Sequence, residues 1–227
     1  MSYDLLATFY DSFIDPDVYE EYLRLIDKYS SLGSLLDIGC GTGTLSMELA
    51  RRGFHVTATD LSDEMLQILN YRAEQEELDI EIALYDMLDP IPASYDLIVA
   101  SMDVINHLSD LEDVNFGFTN IYEALNDNGV FLFDVLSAEY IDALDGYIED
   151  DEEFHFHWES HKGEKEHSIV HTILLDLEGE KETIEIFEET HDVSMYEDLI
   201  KKVGFVVLER VIFPERTIFV VQKIEKE

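Results

Sequence analysis

The segment Leu35–Gly43, LLDIGCGTG, decides how this chain reads. An apolar run ending in Asp37-Ile38 meets Gly39, Gly41 and Gly43, and residues 44–52 then place Leu45 and Leu49 on one helical face ahead of a stopping Gly53. A strand that opens into a turn almost free of side chains can bend sharply and let its backbone approach a ligand closely. Working outward, 54–60 (FHVTATD) is a second strand, and Ser62 caps a helix carrying Met65, Leu66, Leu69 and Ala73. IEIAL (80–84) and YDLIVAS (95–101) are two more strands. Ser109 and Glu112 form a capping-box pair before a helix whose apolar stripe is Leu111, Val114, Phe118, Ile121, Tyr122 and Leu125. Asn128 and Gly129 end that helix, and VFLFDV (130–135) follows as a strand. This alternation predicts an α/β chain with a parallel sheet covered by helices on both faces.

The rhythm breaks near residue 137. From 153 to 191 the pattern has period two, with Phe154, Phe156 and Trp158 on one side and His155 and His157 on the other. SIVHTILLDL and ETIEIFEE are further strands, with GEKE and EGEK as turns. These predict a small antiparallel sheet inserted into the parallel one. Ser194 and Glu197 form another capping box, opening a helix that buries Met195, Leu199 and Val203 and stops at Gly204. FVVLERVIF and RTIFVVQKI close the chain as a hairpin around Pro214 and Glu215. The domain reading is a core of 1–136 plus 193–227, with 137–192 as the insertion.

The chain has 227 residues, 46% of them hydrophobic, which suffices for a real core. Fourteen Lys and Arg oppose 52 Asp and Glu, a formal net charge of −38. Such a surface repels phosphate backbones and anionic membranes, and the densest basic runs are only Arg51–Arg52 and Lys201–Lys202. Nucleic-acid and membrane partners are therefore not expected. Cys40 is the only cysteine, so no internal disulfide forms. No apolar run reaches the ~18 residues of a transmembrane helix, and the first residues, MSYDLLATFYDSF, lack a leader pattern. A cytoplasmic protein is expected.

Ligands of open parallel sheets sit beyond the carboxyl ends of the strands, where the glycine turn lies. Asp60 ends the second strand and is placed to accept hydrogen bonds from ribose hydroxyls. Turn and acid together predict a nucleoside-containing ligand. A dinucleotide fingerprint needs a glycine at its sixth position, where this chain has Thr44. The pattern Asp-x-Gly-x-Gly-x-Gly instead resembles the first motif of the class I S-adenosylmethionine-dependent methyltransferases. ATDLSDEML, ALYDMLD and YDLIVASMDVINHL resemble their following motifs, and Gly204–Phe205 opens the penultimate strand as is common there. The match spans 35–135 well and 194–224 in outline. The chain is similar to small stand-alone bacterial members that begin with a Tyr-rich helix (here TFYDSFID and YEEYL).

The resemblance implies a Rossmann-like, doubly wound, mostly parallel seven-stranded sheet and S-adenosyl-L-methionine as cofactor. Gly39, Cys40, Gly41 and Gly43 would wrap its methionine part. Asp60 would take the ribose, Leu61 and Met87 would sandwich the adenine, and Asp86 would bind the adenine amine. Asp37 would hold the loop through backbone amides rather than touch the ligand. Ser101, Met102, Asp103, Asn106 and His107 would line the pocket near the methyl group. Asp103 or His107 could deprotonate an acceptor, set against Asp103 simply orienting its loop and His107 beginning the next turn. Tyr10 lies over the cofactor or packs as an ordinary aromatic. The inserted sheet and the N-terminal helix would cover the acceptor, a small molecule or a protein.

His155, His157, His161, His167, His171 and His191 crowd the insertion. They are read as solvated strand positions, because no cysteine and no fixed acid completes a metal site, and no metal is expected. The run EDDEE (149–153) is read as a solvated loop. Two other functions fit parts of the pattern. One is a cofactor-binding protein without transfer that works through partners. The other is an NAD-dependent oxidoreductase, disfavoured by Thr44.

Overall fold

The computed structural model describes residues 10–12, 14–108, 110–151, 156–177 and 180–224. Pro16 opens the first helix, α1 (Pro16–Tyr29), where a missing N–H costs nothing, and the Asp15 carboxylate accepts from the Asp17 and Val18 N–H groups. The core then runs β1 (Ser34–Ile38), α2 (Thr44–Arg51), β2 (His55–Asp60), α3 (Asp63–Gln75), β3 (Ile80–Leu84) and β4 (Tyr95–Ala100). A 3₁₀ turn (Val104–His107), α4 (Leu111–Ala124) and β5 (Leu125–Leu136) follow. The insertion holds α5 (Ala138–Ala143), β6 (Ile148–Asp151), β7 (Phe156–Lys162), β8 (Ser168–Leu177) and β9 (Glu180–Glu189). Then α6 (Val193–Val203), β10 (Phe205–Ile212) and β11 (Arg216–Lys223) complete the core.

Seven strands form one sheet in the order β10-β11-β5-β4-β1-β2-β3. β1 pairs in parallel with β2 and β4, β2 with β3, and β4 with β5, whereas β11 runs antiparallel to both β5 and β10. Strand alternation sends neighbouring residues to opposite layers. Leu35, Leu97 and Leu132 pack with Val18, Leu25 and Leu49 of α1 and α2. Leu36, Ile98 and Phe133 pack with Phe118, Ile121, Tyr196 and Ile200 of α4 and α6. Both faces are covered, which is why β1 and β4 read as nearly unbroken apolar runs.

Strands β6-β7-β8-β9 make a separate antiparallel sheet around Phe156, Ile173 and Leu175. Its last strand is tied to the core where Asn106 Nδ2 donates to the Glu189 carbonyl (2.9 Å) and Thr190 Oγ1 to the Leu136 carbonyl (2.6 Å).

Three local expectations need correction. Helix α4 ends at Ala124, and Leu125, read as its last apolar residue, instead begins β5. The β4–β5 register jumps from Tyr95↔Leu125 to Leu97↔Val130, so 126–129 loop out, with Asn128 at φ 62. The cap of α4 is Asp110, whose carboxylate accepts from the Glu112 and Asp113 N–H groups (2.9 and 3.0 Å), while Ser109 lies outside the described residues. Helix α6 starts one residue before Ser194 with Asp192 at its N-cap, so no Ser194 capping box forms. Tyr196 and Ile200 take the core positions and Met195 is exposed, because the Tyr196 ring reaches His191 and the Thr190 hydroxyl. Phe154, His155 and the acids at 152–153 lie outside the described residues.

Candidate active site

The three loop glycines all have left-handed backbones, with φ of 67, 53 and 83 for Gly39, Gly41 and Gly43. Their surroundings differ. A Cβ on Gly39 would sit 2.5 Å from a Val104 methyl, and one on Gly43 would sit 2.1 Å from a Leu69 methyl. A Cβ on Gly41 would meet nothing within 4 Å. The outer two glycines therefore let the protein close on itself, and the middle one faces open space. Cys40 anchors the turn, its N–H donating to the Thr59 carbonyl at 2.9 Å. Burial pushes the Cys40 thiol up, so it stays protonated.

Asp60, at the tip of β2, accepts from Gly41 N–H through Oδ2 and from Ser62 N–H through Oδ1, both at 2.8 Å. A carboxylate offers about four acceptor directions, so each oxygen keeps capacity for a ligand hydroxyl. Asp86 braces its own turn by accepting from Leu88 N–H at 2.9 Å. Gly41, Asp60, Leu61, Asp86, Met87, Met102 and His107 line a hollow of about 670 Å³. Leu61 is 69% exposed in it, whereas Met87 is buried. A second hollow of about 310 Å³ is lined by Tyr10, Cys40, Ser101, Asp103 and Arg216 and shares Gly39, Gly41, Met65 and Met102 with the first. The two meet at the glycine turn, off the carboxyl ends of β1, β2 and β4, where ligands of such sheets lie. Their sizes fall within the usual ligand range of roughly 300–1,000 Å³.

Three predicted residues are placed elsewhere, the first being Gly43, which packs on Leu69 and lines neither hollow. Asp37 is 1% exposed and lines neither hollow. Its carboxylate faces α2, accepting from the Ser46 hydroxyl at 2.5 Å, so it fastens that helix instead of the loop amides. Burial pushes its carboxyl up to about 7, with Ser46 opposing and Asp60 adding to the shift. Asn106 is fully buried and committed, accepting from Leu136 N–H (3.0 Å) while donating to the Glu189 carbonyl. It joins β5 to β9 and is not part of the cavity wall.

Sequence reading missed the group that shapes the far end. Asp134, wholly buried on β5, accepts from Tyr22 OH (2.5 Å), Met102 N–H (2.8 Å), Asp103 N–H (3.2 Å) and Arg216 Nη1 (2.6 Å). This carboxylate holds Met102 and Asp103 at φ 61 each, a left-handed conformation that costs non-glycine residues of order 1 kcal/mol apiece. Arg216 also donates to Asp103 at 2.8 Å. Burial raises the carboxyls of both Asp103 and Asp134, against the pull of Arg216. An arginine-paired Asp103 orients the loop, and the pairing counts against it as a proton acceptor. His107 stands nearer the surface, with Nδ1 3.3 Å from the Phe187 carbonyl.

The cover comes from two places. Glu185, Ile186 and Phe187 of β9 line the larger hollow. Tyr10 lines the smaller one and packs against the inserted sheet. Asp11 pins this segment, accepting from the Thr42 and Thr44 hydroxyls (2.6 and 3.0 Å) and pairing with Arg72 (3.0 Å). Among the insertion's histidines, His157 pairs with Asp150 (2.8 Å) and His167 with Asp142 (2.9 Å). His171 departs from the solvated reading: it is 4% exposed, held between Ser160, Trp158 and Glu188.

The family model described as a methyltransferase domain matches residues 35–129. A protein of Geobacillus sp. (strain WCH70), classed by name as a methyltransferase, is 31% identical over 224 residues, covering 92% of this chain and 91% of its own. One from Bacillus subtilis (strain 168), classed the same way, is 30% identical over 216 residues, covering 90% and 87%. A crystal structure of an S-adenosylmethionine-dependent methyltransferase from Clostridium acetobutylicum ATCC 824 superposes with a TM-score of 0.84 at 23% identity, covering 98% of this chain and 99% of that one. Among the described residues no helix is long and apolar enough to cross a membrane.

Proposed function

This chain belongs to the class I S-adenosylmethionine-dependent methyltransferase family and uses that cofactor to methylate an acceptor, and on that premise we propose which residues hold each reactant. The observation that carries the assignment is the open space over Gly41, directly beside the Asp60 carboxylate. The methionine part lies along Gly39–Gly41 toward Cys40, Ser101 and Tyr10. The ribose hydroxyls take the remaining lone pairs of Asp60, the adenine lies at Leu61 and Met87, and Asp86 receives its amine. The methyl group then faces Met102, Asp103 and His107.

A sulfonium is already an activated electrophile, so in-line displacement asks the protein mainly for orientation. The Asp134-held loop supplies it by fixing Met102 and Asp103 in place. The cover by β9 and the Tyr10 segment leaves room for a small molecule, which is the acceptor class we assign, with residues 137–192 as its lid. Titration calorimetry with S-adenosylhomocysteine should give one site per chain, and Asp60→Ala should weaken it about 10- to 100-fold, as loss of charged hydrogen bonds does. Unchanged affinity in Asp60→Ala would remove that residue from the site.

A further inference from the structure

At the methyl end, three side chains from distant parts of the chain converge. Asp103, His107 and Glu188 each offer one ligand atom, all within 4.8 Å of one another. We propose that these three residues bind a divalent first-row metal ion at the mouth of the acceptor cavity.

Charge balance is the first argument. Asp103, Asp134 and Glu188 bring three carboxylates, and Arg216 is the guanidinium set among them, pairing with Asp103 (2.8 Å) and Asp134 (2.6 Å). Ionised, they leave two negative charges, which a divalent ion cancels. Glu188 is the pressing case. It is 7% exposed, and the sole hydrogen bond of its side chain among the described residues is a 3.4 Å contact between Oε2 and His171 Nε2. A carboxylate this deeply set gains little from one long hydrogen bond, and no hydrogen bond to Oε1 is made among the described residues, so that oxygen is free to ligate.

The surrounding hydrogen bonds are the second argument. A carbonyl oxygen only accepts, so the Phe187 contact puts the proton on His107 Nδ1 and leaves a lone pair on Nε2. Metal-bound imidazoles are oriented in this way, by giving their other N–H to a carbonyl or carboxylate. Glu188 is braced likewise. His171 Nδ1 accepts from Trp158 Nε1 at 3.1 Å and lies 2.7 Å from Ser160 Oγ, so Nε2 carries the proton and points it at Glu188. Arg216 holds Asp103 by Oδ1, and no hydrogen bond to Oδ2 is made among the described residues.

One imidazole and two carboxylates suit Zn²⁺ or Mn²⁺. Bond lengths of ~2.0–2.2 Å imply donor–donor edges of roughly 3.5 Å, so the three groups draw together by about 1 Å on binding. Three protein donors leave positions open, as at catalytic rather than structural sites. An acceptor oxygen or nitrogen entering one of them is held at the methyl end. The inserted sheet thus contributes Glu188 to the site as well as covering it. This goes beyond the cofactor assignment and stands independently of it.

The test uses the full chain, stripped with a chelator, desalted and titrated with ZnCl₂ and with MnCl₂ at physiological salt, where exposed acids are screened. One saturable equivalent is expected for at least one ion, with affinity falling 10-fold or more in both Glu188→Gln and His107→Gln. The far-UV circular dichroism spectrum and the cooperative urea transition of both variants should match the wild type, which shows that they are folded. No saturable binding of either ion overturns the proposal. So does binding that both variants retain, because the ion then sits on other acids or histidines.

Discussion

The two ends of the cavity are built in opposite ways. At the cofactor end, the glycine turn, Asp60 and Asp86 lie within 48 positions of one another, each at the tip of its own parallel strand. At the acceptor end, Tyr22, Met102 with Asp103, Asp134 and Arg216 come from four separate stretches, joined by hydrogen bonds that span up to 113 positions. The first end is local backbone geometry, and the second is a buried charge network that exists only once the chain has folded. The first should therefore respond to substitution mainly in binding, and the second mainly in stability.

The largest effect should come from Arg216→Met. It leaves Asp134 and Asp103 buried without their cation and should cost about 3–5 kcal/mol in urea unfolding. A loss under about 1 kcal/mol would mean that the network is not what holds the acceptor end.

Asp37 tests the cofactor end through pH. Its folded carboxyl is pushed up to about 7, above an unfolded value of ~4, so the folded state keeps a proton that the unfolded chain has released. Stability from this group is greatest below pH ~4 and is lost as pH rises toward ~7, by at most about 4 kcal/mol. Asp37→Asn should lack that decline. Parallel Tm-against-pH curves for the two proteins would contradict the assignment.

Gly43→Ala and Gly41→Ala separate packing from ligand space within one loop. Gly43→Ala drives a methyl into Leu69 and should cost about 2–3 kcal/mol in unfolding. Gly41→Ala meets no neighbour and should cost only about 1 kcal/mol for its positive φ. Calorimetry should nonetheless find its S-adenosylhomocysteine affinity at least about 10-fold lower, because the new methyl occupies the ligand's space. The reverse ranking would mean that Gly41 serves packing.

The same contrast explains what was legible beforehand. Strand, turn and helix around 35–53 announce themselves through periodicity, and Asp60 and Asp86 sit where the strands end, so the sheet and the lining of the larger hollow could be read. Asp37 was visible too, but its direction was not. A strand residue next to a loop can face either way, and only the Ser46 hydroxyl on α2 shows which. Asn106 was misread for a related reason: its partners, Leu136 and the Glu189 carbonyl, lie 30 and 83 positions away. Arg216 and Glu188 carried no signal at all. Each stands in a strand among many charged residues, and nothing local sets Glu188 apart from the other acids of EIFEE. His171 was grouped with solvated histidines because alternation tells which face of a strand a residue takes, not whether a core covers that face.

The most direct test is a crystal structure with S-adenosylhomocysteine bound. The ribose hydroxyls should lie on Asp60, the adenine against Leu61 and Met87, and the sulfur toward Met102 and Asp103. A ligand whose ribose is turned away from Asp60, or one seated off the Gly39–Gly43 turn, would contradict the account.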